Sequence, residues 1–424
     1  MQLMRIYNAQ TDDLSPVFER TQFGDEAVIS TVRGIVKDVR AGGDKALFSY
    51  VEKFDGVDLS KGLLVTQDEI RAAYKAVSTD LLDAVRRAKS NVLEFHKRQA
   101  DALYKAAKDA AKKDVSWALR PVQRAGIYVP GGTAPYPSSV LMCALPAVAA
   151  GVEEIYICSP KPKNPLTLVA AAECGIQKIF KMGGAQAVAA MAYGTQSVPK
   201  ADVIAGPGNV YVTLAKKEIY GDAAIDMLAG PSEVLIIADK SASPKVLAAD
   251  LLSQAEHDTL AACSLVVTCA KLAAETATEV ERQIKLLSRR EIAEAAISAH
   301  GAVIVVKDLD EAAAISNKIA PEHLELAVEK PEPLLLKIKN AGAVFMGHYT
   351  PEPIGDYFAG PSHCLPTSGT AKYFSVLSAD TFLKKMSVIN YSKQQFEKCA
   401  GDVIALAEAE GFTAHANSIR VRMK

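Results

Sequence analysis

Several signatures that would identify a function outright are missing from this chain. No G-x-G-x-x-G, no G-x-x-x-x-G-K-[ST] and no G-x-S-x-G occurs, which excludes the usual dinucleotide fingerprint, the P-loop and the hydrolase nucleophile elbow. Cysteine is scarce: seven residues, at 143, 158, 174, 263, 269, 364 and 399, odd in number and never spaced C-x-x-C. Such a set argues against a disulfide framework and a thiolate zinc site, and fits reduced thiols in a cytoplasmic protein. Long apolar stretches are absent, and the start, MQLMRIYNAQTDDL, has no basic segment leading into an apolar one. Neither a membrane span nor an export signal is expected. Neither sign of charge is in excess, with Lys plus Arg at 48 against Asp plus Glu at 49. No global field therefore recruits nucleic acid or an anionic membrane, and the partner is small. The one basic cluster, Lys105 to Lys113, interleaves lysine with Ala at helical spacing and reads as a solvated helix face.

What the chain does have is 424 residues, of which 49% are hydrophobic. That exceeds what one core usually serves, so two large α/β domains with smaller appendages and a cleft between them are expected. From Asp25 to Lys113 apolar residues recur at helical steps, and VISTVRGIVKDVRAGG stops at a Gly pair, which describes an all-helical entry arm. Beyond Pro121, short β-branched runs end abruptly at Gly or Pro: AGIYVPGG, EEIYICSP, ADVIAGPGN and EVLIIAD, then SLVVTC, AVIVVKD and GAVFMGH. Helix-length segments separate them, which means right-handed βαβ units and a mostly parallel sheet. The strands from Ser264 onward form a second α/β group, and the stretch from SVINYSKQQFEKCAG onward reads as a helical appendage that docks on something, such as a partner subunit.

In open α/β sheets ligands bind beyond the carboxyl ends of strands, so the turns there are the first places to look. Tyr128-Val-Pro-Gly131-Gly132, Gly183-Gly184-Ala-Gln186 and Gly206-Pro-Gly208-Asn209 each neighbour a strand. Glycine there lets backbone N–H groups approach a pyrophosphate, while Tyr128, Gln186 and Asn209 can orient it; each segment also fits a plain tight turn.

Histidine is more informative. Ser243 and Pro244 open a helix on which Gln254 and His257 lie three apart, with Asp258 one turn from Gln254; such a pair can grip a cation, although the same pattern fits a solvated face. Pro321 places Glu322 and His323 at a helix start, where they form either an acid/base pair or an ordinary N-terminus. The loop Gly355 to Pro366 offers Asp356 and His363, and the tail offers Glu410 and His415. His96 is an ordinary helix residue, His300 a helix end and His348 a strand end.

Eight motifs in register over nearly the whole chain, GIYVPGG, GGAQAVAAMAYGT, AGPGNVYV, AGPSE, QAEHD, APEHLEL, GDYFAGPSHCLPT and EGFTAHANSIRVR, resemble the histidinol dehydrogenase family. The resemblance implies a zinc- and NAD-dependent four-electron oxidation of L-histidinol to L-histidine through bound L-histidinaldehyde, the last step of histidine biosynthesis. It implies that Gln254, His257, Asp356 and His415 ligate zinc, the last from the other subunit of a homodimer. Glu322 and His323 are then the proton acceptors. Ser232, Glu410, His323 and the metal ligands hold the substrate, and Tyr128, Gln186 and Asn209 contact NAD. The implied fold pairs two incomplete Rossmann-like domains with two small domains exchanged between protomers: 1–22 a small-domain segment, 23–126 with 236–378 the first Rossmann-like domain, 127–235 the second, and 379–424 the swapped tail. Ser362 departs from the family's usual Asn. Two rival readings are an aldehyde dehydrogenase with Cys143 or Cys158 as nucleophile, disfavoured by their apolar surroundings, and a zinc-dependent binder of imidazole compounds without turnover.

Overall fold

The structure, a computed structural model, describes residues 3–19, 25–131, 136–160 and 164–423. Its strands in chain order are β1 (Arg5–Asn8), β2 (Val115–Pro121), β3 (Arg124–Tyr128), β4 (Glu154–Cys158), β5 (Ile179–Phe180), β6 (Val203–Ala205) and β7 (Ala224–Ile225). There follow β8 (Glu233–Ala238), β9 (Ala262–Val267), β10 (Gly301–Val305), β11 (His323–Ala327), β12 (Ala343–Met346) and β13 (Leu383–Ile389). Two sheets share one plan. The first runs β5-β4-β3-β6-β7 and the second β1-β10-β9-β8-β11-β12, with every pairing parallel. In each, three strands wind outward and the fourth returns to the far side of the first, leaving a crevice at the reversal. The expected α/β class with parallel cores is what the chain adopts.

Strands β8 and β11 are buried at every position. Burial on both faces explains the nearly continuous apolar run of β8, whereas β11, HLELA, alternates leucine with His323 and Glu325 although every position is buried.

The packing departs from the expected division in three places. EVLIIAD is β8 and belongs to the second sheet, so the chain changes sheets between β7 and β8 and not near Ser264. Residues 1–22 are not a small domain where they are described: RIYN is an edge strand on β10. The entry helices pack with the first sheet's helices, although 23–126 was grouped with 236–378: Glu26–Gly42 lies on Gly184–Tyr193, Gln67–Ala76 on Pro165–Glu173, and Thr79–Ala110 on Pro137–Ala150. The cause is apolar matching, with Val32, Ile35, Val36 and Val39 sharing one core with Val188, Met191 and Leu214. The sequence-read ends of the first of these helices hold, Asp25 accepting from Val28 N–H and Gly43 closing it at φ 55°.

The C-terminal region is not wholly helical. Strand β13 pairs antiparallel with β2, from Leu383↔Pro121 to Ile389↔Val115, and leads into the helices Lys393–Ala409 and Thr413–Arg420, which pack on each other. Trp117, Met386, Val388, Ile389, Leu406 and Phe412 stay exposed along this projection. Among the described residues no helix is long and apolar enough to cross a membrane.

Candidate active site

The connector Ala229-Gly-Pro-Ser232 carries the chain from one sheet to the other and is tied to both sides. Thr213 Oγ1 donates to Ala229 O (2.7 Å), and Gly230 N–H donates to Thr367 Oγ1 (2.5 Å). It delivers the chain to the amino end of β8, next to the amino end of β11. Glu322 and His323 lie there, whereas Tyr128, Gln186 and Asn209 lie at or beyond the carboxyl ends of β3, β5 and β6, where the general rule for open sheets points. Ser232 sits at this entrance, its carbonyl accepting from Ala262 N–H (3.0 Å).

Glu322 and His323 do not begin a helix. Glu322 precedes β11 and His323 is its first residue, because HLELA is needed as a fully buried strand between β8 and β12. Both side chains are held by one residue of the neighbouring strand: Glu322 Oε2 accepts from Glu233 N–H (2.8 Å), and His323 Nδ1 lies 2.9 Å from Glu233 O. A carbonyl only accepts, so Nδ1 carries a hydrogen and Nε2 faces the site. Nε2 is 3.6 Å from Asp356 Oδ1. Burial pushes the Glu322 carboxyl up to about 8. Burial alone would lower His323, but the Glu322 and Asp356 carboxylates outweigh it and hold the ring up to about 10. Burial would likewise raise Asp356; His323 and His363 instead keep it well below the carboxylate range.

The helix Pro244–Ala255 ends one residue past Gln254, and His257 follows in the turn, its N–H donating to Gln254 O (3.2 Å). The expected shared helical face is therefore a helix end plus a turn. Among the described residues Gln254 Oε1 is buried without a hydrogen-bond partner, and an orphaned acceptor of this kind costs about 1–3 kcal/mol unless something meets it. His257, Asp356 and Glu352 each offer one ligand atom within 4.8 Å of the others. Sequence reasoning missed Glu352, although its i, i+4 spacing to Asp356 on the helix Glu352–Tyr357 could have shown it. Burial, then Asp356, pushes its carboxyl up to about 9. Gly355 lets that helix lie on Phe345, because a Cβ there would come 2.6 Å from the ring. These oxygen and nitrogen donors suit a borderline divalent cation, zinc included.

His363 places Nδ1 3.2 Å from Asp356 O and Nε2 3.2 Å from Ser139 Oγ. Ser362 accepts from Cys364 N–H (3.1 Å), a bond local to the loop. Cys143 and Cys158 are fully buried. Their thiols stand well above the ordinary range, Cys143 through its bond to Cys364 and then burial, Cys158 through burial alone; neither is poised as a nucleophile.

At the reversal point of the first sheet two of the expected dinucleotide residues meet. Tyr128 Oη accepts from Gly184 N–H (3.1 Å). Asp55, not anticipated from sequence, accepts from Gly183 N–H (3.0 Å) and from Gln186 Nε2 (3.2 Å). Asn209 caps the helix Val210–Ile219, accepting from Tyr211 and Val212 N–H. Gly206 crosses the end of β3 at φ 125°, and a Cβ there would fall 2.0 Å from Tyr128 O, so only glycine permits the crossing. A buried Lys216–Asp226 ion pair braces it, Lys216 Nζ donating to Gly206 O (3.1 Å) and Asp226 accepting from Gly206 N–H (2.8 Å). Gly132 lies outside the described residues. Glu410 and His415 are exposed on the tail and are not part of the cluster formed by His257, Glu352 and Asp356 within one chain.

A sequence profile of histidinol dehydrogenase matches residues 18–423. The histidinol dehydrogenase of Moorella thermoacetica is 53% identical over 403 residues, covering 94% of this chain and 95% of that protein. That of Bacillus subtilis is 49% identical over 404 residues, 94% of each. The crystal structure of histidinol dehydrogenase from Elizabethkingia anophelis matches with a TM-score of 0.91 at 38% identity, over 100% of this chain and 98% of that one. Likeness this close over essentially the full length leaves one assignment: the chain belongs to the histidinol dehydrogenase family of oxidoreductases.

Proposed function

We propose that this protein oxidises L-histidinol to L-histidine in two NAD-linked steps through bound L-histidinaldehyde, using a zinc ion in a site shared across a cytoplasmic homodimer. The observation that carries the reading is the pair Glu322–His323, both tied to the backbone of Glu233 and facing Asp356. Gln254, His257 and Asp356, with His415 of the partner subunit, would hold the metal; the unpartnered Gln254 Oε1 supports this. When bound, zinc orients the amine and imidazole of the substrate and NAD takes up hydride.

The chain's own groups handle the protons. His323 accepts the alcohol proton at Nε2 while Nδ1 keeps its bond to Glu233 O. Once Asp356 is engaged by another partner, part of what keeps His323 protonated is withdrawn, which suits it to act as a base. Glu322 then takes a proton from the water that attacks the aldehyde, and burial makes it a stronger base than a surface carboxylate. Ser232 and Glu410 of the partner subunit help hold the substrate; Tyr128, Gln186 and Asn209 border the dinucleotide. The exposed apolar ribbon and tail support a dimer in which 379–424 crosses to the other protomer. The test is the stoichiometry of the zinc-replete protein. About two NADH per L-histidinol are expected; one NADH with released aldehyde, or none, overturns the reading.

A further inference from the structure

The helix Pro137–Ala150 meets the loop after Asp356 through two side-chain contacts one turn apart. Ser139 Oγ lies 3.2 Å from His363 Nε2, and Cys143 Sγ lies 3.2 Å from Cys364 Sγ. The two cysteines are 221 residues apart in sequence, and the proposed reaction uses neither. They are also unlike each other. Both are buried, Cys143 with no exposed surface and Cys364 with 6%, so the difference between them is one of acidity. The bond from Cys143, followed by the contact with His363, holds the Cys364 thiol down to about 6, against the raised Cys143 thiol. Two thiols in contact, one of them made more acidic by its neighbours, are the layout of a reversible dithiol pair.

We propose that Cys143 and Cys364 are a reversible redox pair, closed to a disulfide by hydrogen peroxide, and that closure slows turnover by shifting the loop that carries His363 and adjoins Asp356. The Cys364 thiolate attacks one peroxide oxygen, the O–O bond breaks, and the departing hydroxide takes a proton to become water. The sulfenic acid left on Cys364 is attacked by Cys143 Sγ, and its hydroxyl leaves with the Cys143 proton as a second water. Two thiols and one peroxide thus give one disulfide and two waters, and a dithiol reverses the change. A disulfide spans about 2.0 Å, so the sulfurs must close from their present 3.2 Å. A shift of about 1 Å beside reacting groups can cost roughly 100-fold in rate. The effect on turnover rests on the proposed oxidation of L-histidinol; formation of the bond does not.

The experiment treats the full-length folded protein with hydrogen peroxide, alkylates the remaining thiols, and maps peptides by mass spectrometry while L-histidinol turnover is followed in parallel. The expected result is a Cys143–Cys364 cross-linked peptide lighter by two hydrogens, with turnover falling at least about tenfold and returning with dithiothreitol. C143A, its melting temperature checked beside the wild type, keeps its reduced-state turnover, forms no cross-link and shows no dithiothreitol-reversible loss. Wild-type protein with both thiols still alkylated, or with oxidation confined to Cys269 and Cys399, overturns the pair. A cross-link without change in turnover overturns the regulatory half. Reduced protein with no L-histidinol turnover at all counts against the proposed function, and the peptide map still decides the pair.

Discussion

Glu322→Gln separates the two half-reactions. The amide keeps an oxygen where Glu322 Oε2 now accepts from Glu233 N–H at 2.8 Å, so the strand mouth retains its shape and only the capacity to take a proton is lost. A positioned general base contributes about 10²–10⁴ in rate, or roughly 3–5 kcal/mol of barrier. Conversion of L-histidinaldehyde to L-histidine should fall by that factor, while the first oxidation, assigned to His323, falls less than about tenfold. Stopped-flow traces should then show the first NADH at nearly normal speed and the second severely delayed, and the variant fed the aldehyde directly should be slow. The pH profile supplies a sign. The Glu322 carboxyl is raised to about 8, so below that pH it is mostly protonated and cannot act as a base; the second half-reaction of the wild type therefore climbs with pH through this region, and the variant's does not. Equal losses in both halves would refute the assignment.

Other perturbations test the remaining parts. Mixing His415→Ala with His257→Ala protomers should restore activity to about a quarter of wild type, because half of randomly paired dimers then hold one intact site; no recovery would show that the tail serves its own protomer. Gln254→Leu should bind zinc at least about tenfold more weakly in equilibrium dialysis and keep its fold, since it removes an orphaned acceptor; unchanged affinity would remove Gln254 from the ligand set. Lys216→Met leaves the buried Asp226 carboxylate uncompensated and should cost about 3–5 kcal/mol in denaturant unfolding, with Asp226→Asn added to it recovering part of the loss.

The sheet strands were legible because complete burial demands apolar residues, and glycine or proline stops each run. The same logic misled at APEHLEL: a proline before alternating residues resembles a helix start, and only the seat between β8 and β12 makes it a strand. Arg5–Asn8 was missed because an edge strand of four residues carries little pattern. Strand β13 is exposed over nearly its whole length, so no apolar periodicity marks it. The packing of the entry helices depends on which apolar faces match, and chain order does not reveal that. Within the site, Glu322, His323, Gln254, His257 and Asp356 were readable through motif resemblance, whereas Glu352 and Asp55 look like surface acids until the burial of Glu352, whose own N–H donates to Glu325, and the bond from Gly183 N–H to Asp55 are seen.

Strand β11 is bonded on one side to β8 and on the other to β12, with His323 registered against Val234 and Ala343. Its amides are therefore among the last to exchange with deuterium, opening only when the sheet itself comes apart, while those of the β2–β13 ribbon exchange early. Any breathing that admits a ligand falls to the peripheral loops and the tail, which leaves His323 on a strand bonded along both edges.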